Sequence, residues 1–403
     1  MNLRRALLVA VPVLSLAACG DNLVPDDTTL PDAPAGFVPA AHAAPPQLVS
    51  LGGRVLAAPK VRAIFFANDL EMQTSVDQFL AQLAASSYWT TTTAEYGVGP
   101  LTVSPTIVTA DPPPTTDTAF STWLASRFDG THAEYGAFDP DTVYSVFLPQ
   151  GVVLRSPDGD SCDAYGAYHD EEMGTGGQHI VYALIPRCAP EPGLTYLDEV
   201  TVSTSHELAE AVTDPLVETT GAFGSVDDDH AIWGFTPGAE NGDFCEYLPT
   251  AYGKLVGEFS VQRTWSNAAA LAGHDPCVPA VAGPFVGAAP KLDEVVGMTD
   301  GPNGPQMTKG VKIPMGMSKT IDVVLWSDAE TADVSVEAID VAKDGGSPAE
   351  LTFVWDRTTG HNGDTLHLTI TRVRPGDFGG SEFEVNTLAG GSPTWMWWSY
   401  AAN

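Results

Sequence analysis

Residues 195–215, TYLDEVTVSTSHELAEAVTDP, decide more about the fold than any other stretch of this chain. Thr195 can cap the start of a helix, and Pro215 cannot continue one, so both ends of a single helix are marked. Leu208 and Val212 lie one turn apart and give this helix an apolar stripe. The sequence therefore predicts one helix that ends before Pro215.

The same helix carries residues suited to binding a metal. His206 and Glu210 are four positions apart, so they project from one helical face and could bind one Zn²⁺. Glu207 could then polarise a water bound to the ion, following the two-histidine zinc-protease motif with a carboxylate in place of the second histidine. The alternative is an ordinary amphipathic helix with a chance His-Glu-x-x-Glu.

A third protein ligand is expected downstream, in the glycine-containing turn ENGDFC at residues 240–245. Glu240 is the first choice and Asp243 the second; the alternative is a surface turn in which Asp243 bonds its own backbone. Upstream, His169 follows Cys162 and is predicted either to bind the metal or to hydrogen-bond the oxyanion of the transition state.

Other titratable residues carry weaker signals. His179, His230 and His274 are interpreted as solvated histidines. The acidic run 227–229 next to His230 could bind Ca²⁺, although a solvated loop is the favoured interpretation.

The N-terminus has the features of a bacterial lipoprotein signal. Arg4 and Arg5 precede an apolar run over residues 6–16, and LAAC at residues 16–19 follows, with Cys19 as its last residue. We expect residues 1–18 to be removed and Cys19 to be acylated, which would attach the protein to the bacterial cell envelope, at the outer membrane or cell surface. The alternative is a plain cleaved signal peptide.

Four cysteines remain, which suits an oxidising compartment and allows three pairings. Cys162–Cys188 with Cys245–Cys277 is favoured because each bridge closes a loop flanking the helix, at about 3 kcal/mol each. A zinc-thiolate site would need a Cys-x-x-Cys pair, which the sequence lacks.

The chain has a formal net charge of −33, from 51 acidic and 18 basic residues. Nucleic acids and anionic membrane surfaces require basic patches on their partners. The composition therefore argues against both as direct partners and leaves membrane attachment to the lipid on Cys19.

The pattern along the chain predicts an α+β protein in several parts. Residues 19–58 are rich in proline and alanine and are predicted to be a disordered tether. Residues 59–282 mix strands with helices and predict a zincin-like metallohydrolase domain. The strands are expected at 61–66, 101–108, 142–148 and 181–185, and the helices at 75–86 with a Ser75/Gln78 capping pair, at 88–96 and at 116–128.

Residues 283–403 lack helical periodicity and predict an immunoglobulin-like β-sandwich. Its strands are expected at 321–325, 334–336, 351–355, 366–370 and 383–385, with WMWW at 395–398 as the closing strand. These aromatic residues are expected in a core, the alternative being a glycan-stacking surface.

Several motifs together resemble the phosphate-induced protein (EXORDIUM) family and its bacterial secreted relatives. They are EYGVG (95–99), VYSVFLP (143–149), GAYH (166–169), VYALIP (181–186), SHELAEAVTDP (205–215), ENGDFC (240–245) and VQRTWSN (261–267). The resemblance implies an extracellular protein: plant members are tied to growth signalling in the cell wall, and bacterial members look like metallopeptidases. It also implies a shared site built on His206, Glu207 and Glu210.

Two functional hypotheses follow. In the first, the protein is a lipid-anchored extracytoplasmic zinc metallopeptidase that acts on a peptide or protein, with Glu207 as general base. In the second, it is a non-catalytic cell-surface binding or signalling module whose metal is structural.

Overall fold

The computed structural model describes residues 36–157, 159–235, 238–301, 304–376 and 379–403. The predicted signal segment and Cys19 lie outside these residues. Within the described ranges the architecture is α+β with several sheets, as predicted. None of the described helices is both long enough and apolar enough to cross a bilayer.

The first part of the chain, up to residue 282, contains twelve strands and six α-helices among its described residues. The elements are β1 (Lys60–Phe66), α1 (Gln73–Ala85), α2 (Ser87–Thr93), β2 (Thr102–Val103), β3 (Ile107–Thr109), α3 (Asp117–Ser126), β4 (Thr142–Phe147), β5 (Arg155–Ser156), β6 (Gly159–Asp160), β7 (Tyr168–Met173), β8 (His179–Ile185), α4 (Tyr196–Thr213), α5 (Asp243–Glu246), β9 (Tyr252–Val256), β10 (Phe259–Gln262), β11 (Thr264–Trp265), α6 (Asn267–Leu271) and β12 (Cys277–Val278). Short 3-10 helices lie at Ala94–Tyr96, Ala133–Tyr135 and Asp228–Gly234.

A mixed sheet organises this part, with strand order β2-β1-β4-β8-β7 and β3 beside β1. Strands β1, β4 and β8 are parallel, whereas β7 runs antiparallel at the edge. All six residues of β4 are buried, because a central strand of a sheet is covered on both faces. Strand β7 carries His169, one of the predicted site residues.

Helix α4 has the predicted bounds and start. Thr195 and Asp198 form a capping box, in which the Thr195 hydroxyl accepts the Asp198 N–H at 3.1 Å and the Asp198 carboxylate accepts the Thr195 N–H at 3.0 Å. Leu208 and Val212 are fully buried in the core beside the sheet. The capping box fixes where the helix begins, and the buried apolar residues fix which of its faces packs against the sheet.

Strand β10 lies along α4 and is held to it by polar contacts. The Gln262 N–H donates to Ser205 Oγ at 3.0 Å, and Thr201 Oγ1 donates to the carbonyl of Ser260 at 2.7 Å. Ser260 Oγ also donates to Asp198 at 2.7 Å. Residues at the end of β10 therefore have a fixed position relative to the helix.

The remainder of the described chain forms a four-stranded sheet, a six-stranded sheet and one short helix. Its elements are β13 (Val286–Pro290), β14 (Glu294–Gly301), β15 (Gly304–Lys312), β16 (Ser318–Ser327), β17 (Val334–Asp340), α7 (Val341–Asp344), β18 (Leu351–Trp355), β19 (Thr359–Gly360), β20 (Thr365–Arg372), β21 (Gly380–Ala389) and β22 (Ser392–Ala402). The sheet orders are β13-β16-β20-β18 and β14-β15-β22-β21-β17-β19. Strand β22 contains the predicted aromatic strand.

One hydrophobic core continues across residue 283, the expected start of the second domain. Trp233 and Phe244 of the first part lie in the same cluster as Trp326 and Trp395 of the second. Trp395, Trp397 and Trp398 are each at most 4% exposed, so they form part of a core rather than a glycan-stacking surface. The two predicted domains therefore pack through shared aromatic residues.

The predicted tether is wrong for its described C-terminal portion. Leu48 and Leu56 are 3% and 0% exposed, and Leu48 pairs with Val226 in an isolated β-bridge. The Leu48 N–H also donates to Asn267 Oδ1 at 2.9 Å. Proline and alanine made this segment resemble a tether, but its few leucines and its backbone find partners far along the chain.

Two local predictions are also wrong. Helix α1 begins at Gln73, two residues before Ser75, and its N-cap residue Met72 makes no side-chain cap. The strand expected at 101–108 is divided into β2 and β3, because Pro105 has no N–H to continue a ladder.

Both favoured disulfides are confirmed. Cys162–Cys188 has a Cα–Cα distance of 5.1 Å, and Cys245–Cys277 has one of 5.8 Å. The first lies near β7, and the second ties α5 to β12. Each bridge therefore supports a segment that carries residues of the candidate site.

Candidate metal site

Helix α4 presents His206, Glu207 and Glu210 together, as its spacing predicts. Glu207 and Glu210 are 4% and 2% exposed, so both carboxylates are buried. His206 Nε2 lies 3.1 Å from Glu210 Oε2. This pair forms the centre of the site.

The first residue of α5, Asp243, supplies a third side chain. Asp243 Oδ1 lies 3.7 Å from His206 Nε2, while Asp243 Oδ2 accepts the N–H of Glu240 at 3.1 Å. His206, Glu210 and Asp243 have ligand atoms within 4.8 Å of one another and could hold a metal ion. We call these three residues the α4 trio.

His169 reaches the site from the edge strand β7. Its Nδ1 lies 3.4 Å from Glu207 Oε2 and 3.5 Å from Glu210 Oε2, and its Nε2 lies 3.2 Å from Glu240 Oε1. His169, Glu207 and Glu210 form a second, fully buried group that could hold an ion. Glu240, the first choice as third ligand, thus lies beside His169, and the second choice, Asp243, lies beside His206.

The structure also brings in Gln262, for which sequence reasoning assigned no role. Gln262 Oε1 lies 3.0 Å from His206 Nδ1, and Gln262 Nε2 donates to the carbonyl of Gly242 at 2.7 Å. The signal available in the sequence was its place in the VQRTWSN motif.

Gly242 lets the loop approach the ligands closely. Its N–H donates to Glu210 Oε1 at 3.1 Å. A Cβ at this position would lie 2.6 Å from Glu210 Oε1 and 2.8 Å from His206 Nδ1. The backbone here is right-handed helical, with φ −76° and ψ −43°, so alanine is excluded by space and not by backbone strain.

Gly242→Ala is therefore expected to push the loop and Asp243 away from α4. We expect a loss of about 1–3 kcal/mol of unfolding free energy from overpacking, together with weaker zinc binding. Chemical denaturation and zinc titration measure the two effects. Gly253→Ala is the matched control, because its Cβ would make ordinary contacts at 3.6 Å or more with Leu255. Equal behaviour of the two variants would contradict the close approach.

The site contains more buried carboxyl groups than histidines, and burial acts on the pKa values of Glu210, Glu240 and Asp243. Burial, with a contribution from the charge of Glu210, raises the pKa of Glu240 to about 7 and raises the pKa of Asp243 well above its usual range. Burial alone would lower the pKa of His206, but the charges of Glu210 and Glu207 outweigh burial and raise it. Burial alone would raise the pKa of Glu210, but His206 and His169 outweigh burial and hold this pKa well below its usual range.

Among the described residues, histidines are the cationic partners of these carboxylates, and no lysine or arginine pairs with them. His169 Nε2 and Glu240 Oε1 are buried and lie 3.2 Å apart, and no other described atom hydrogen-bonds to either of them. A buried site with imidazole nitrogens and more carboxyl groups than cationic side chains fits a divalent cation.

The secondary candidates have structural partners. His230, expected to be solvated, has a side chain only 14% exposed, with Nδ1 2.8 Å from Asp227 Oδ1. Asp229 pairs with Lys309 at 2.8 Å. Within the described ranges, three His, Cys, Asp or Glu donors converge only in the two groups around Glu210, and neither group includes the acidic run 227–229.

Comparison with protein-family models and with curated proteins finds no match for this chain. The resemblance to the phosphate-induced protein family therefore stays a prediction from its motifs.

Proposed function

We propose that this protein is a zinc-dependent hydrolase that cleaves peptide bonds, with its metal held by the α4 trio. The observation that supports this most directly is the position of His206 Nε2, which lies 3.1 Å from Glu210 Oε2 and 3.7 Å from Asp243 Oδ1. One nitrogen and two carboxylate oxygens converge there from two elements. Three such groups are better accommodated around a bound cation than side by side without one.

The α4 trio is preferred over the group containing His169 because of its exposure. His206 and Asp243 have side chains 12% and 19% exposed, whereas those of His169, Glu207 and Glu210 are at most 6% exposed. A catalytic metal needs a position open to water and substrate. Structural sites are closed, so the buried group is the weaker candidate for catalysis.

Zinc is the proposed ion because the trio contains a histidine nitrogen. Calcium and magnesium prefer sites built from oxygen, while zinc accepts imidazole with carboxylates in four-coordinate geometry. Bound zinc would supply Lewis acidity and lower the pKa of water in the site.

Glu207 is the proposed general base. It follows His206 on α4, and its Oε2 can take the proton released by an attacking water and return it to the leaving amine. His169 Nδ1, 3.4 Å from the same oxygen, would hold this carboxylate in place. Because the His169 side chain is only 3% exposed and faces carboxylates, we assign it this positioning role in preference to contact with the oxyanion.

The fold agrees with the proposed function, although many functions share such a fold. Strands and helices are mixed ahead of the helix that carries the candidate ligands, which agrees with a zincin-like domain, and two packed β-sheets follow, as an immunoglobulin-like sandwich would require. The two disulfides suit an oxidising compartment. From the disulfides we propose an extracytoplasmic protein, and from the LAAC sequence at residues 16–19 we propose that lipid on Cys19 anchors it.

Incubation of the purified chain with a diverse peptide library tests the activity. We expect cleavage that chelation abolishes and added zinc restores, measured by mass spectrometry of the products. If zinc binds but no peptide is cleaved, the hydrolase proposal fails and the alternative, a cell-surface binding module with a structural metal, takes its place.

A further inference from the structure

We propose that Gln262 is a positioning residue that fixes the ring proton of His206 on Nδ1 and so leaves Nε2 free to bind the metal. The inference rests on the proposed metal site and adds to it a residue that touches neither metal nor substrate. It is carried by two contacts of one amide group: Oε1 at 3.0 Å from His206 Nδ1, and Nε2 donating to the Gly242 carbonyl at 2.7 Å.

The direction of the amide follows from its partners. A backbone carbonyl can only accept a hydrogen bond, so the group facing Gly242 must be the NH₂ of Gln262. The group facing His206 is then the carbonyl oxygen, which can only accept. His206 must therefore donate from Nδ1, and its Nε2 points toward Glu210 and Asp243.

Gln262 is itself held firmly. The residue is 2% exposed, its N–H donates to Ser205 Oγ at 3.0 Å, and its carbonyl accepts the hydroxyl of Tyr88. Ser205 directly precedes His206 on α4. The backbone of Gln262 is thus fixed next to the ring that its side chain orients.

The same amide links both segments that carry the α4 trio. His206 belongs to α4, while Gly242 directly precedes Asp243, and the Gly242 N–H bonds Glu210. Hydrogen bonds of this kind to the second ring nitrogen of a metal-bound histidine fix its orientation, and their loss typically costs about 10–100-fold in metal affinity.

The test measures zinc affinity of the full chain by competition with a chelator, for the wild type, Gln262→Met and Gln262→Glu. We expect Gln262→Met to bind zinc about 10–100-fold more weakly. Gln262→Glu keeps an acceptor for His206 Nδ1 and is expected to recover most of that loss. Gln178→Met is the matched control, since it removes a half-buried amide that donates to the Phe128 carbonyl, and it should bind zinc like the wild type.

A spectroscopic readout separates positioning from packing. In the zinc-loaded wild type, ¹H–¹⁵N spectra should show a slowly exchanging proton on His206 Nδ1, which Gln262→Met loses and Gln262→Glu retains. Wild-type affinity in Gln262→Met, or weaker binding by Gln262→Glu than by Gln262→Met, overturns the inference and leaves the metal site standing. A wild-type chain that binds no zinc overturns both.

Discussion

Glu207→Gln is expected to slow peptide hydrolysis by about 10²–10⁴-fold, the usual contribution of a general base, while zinc content stays at the wild-type level. The substitution keeps the size of a side chain that is 6% exposed but removes its ability to take a proton. Glu207 is not part of the α4 trio, so the metal should remain. Product formation and elemental analysis of the same preparation measure the two quantities.

The control for this prediction is Glu258→Gln, which neutralises an exposed carboxylate in the turn between β9 and β10. It should cleave like the wild type. Two outcomes would count against the assignment of Glu207: cleavage by Glu207→Gln at the parental rate, or loss of zinc together with activity, which would make Glu207 a ligand beside His169 in the buried group.

Trp233→Ala is expected to lower the free energy of unfolding by about 3–5 kcal/mol, the usual cost of truncating a buried tryptophan. Trp233 is 1% exposed, and its ring centroid lies 5.3 Å from that of Phe244 and 6.1 Å from that of Trp395. The truncation should also weaken zinc binding, because Phe244 follows Asp243 directly and a cavity beside it loosens the ligand segment.

Denaturant unfolding and zinc titration check both effects. Tyr196→Ala is the control, as it removes an aromatic side chain that is 43% exposed and should change the unfolding free energy by less than about 0.5 kcal/mol. If Trp233→Ala destabilises the chain no more than Tyr196→Ala does, the shared core between the two parts is not a source of stability.

Local patterns in the sequence were sufficient to predict the central helix and much of the sheet. Thr195 and Pro215 mark the ends of α4 because capping and the missing proline N–H act within a few residues. Strands β1, β4 and β8 are predictable because buried parallel strands are rich in β-branched, aromatic and other apolar residues, with few polar ones among them.

Strand β7 is different, since its sequence YHDEEM is polar and shows no strand periodicity. It becomes a strand through its pairing with β8, in which His169 faces Ala183. Such pairing depends on the fold of the whole sheet, so the position of His169 beside Glu207 could not be derived from local sequence.

The candidate site was predictable as a set of residues but not as an arrangement. The i, i+4 spacing of His206 and Glu210 fixes their relation on any helix. Which of Glu240 and Asp243 meets His206 depends on how the loop at Gly242 lies against α4. Gln262 comes from a strand packed beside the helix, and long-range contacts of this kind also explain why Leu48 is buried in a segment that reads as a tether.

The zinc content of the purified full chain tests the central claim most directly. Elemental analysis should give about one zinc per chain for the wild type and for His230→Ala, which removes a histidine from a separate His–Asp pair with an Nδ1–Oδ1 distance of 2.8 Å. The double variant His206→Ala/Glu210→Ala should remain folded and contain no zinc, because it loses two of the three proposed ligands. Undiminished zinc in the folded double variant, or none in the wild type after zinc loading, would contradict the account.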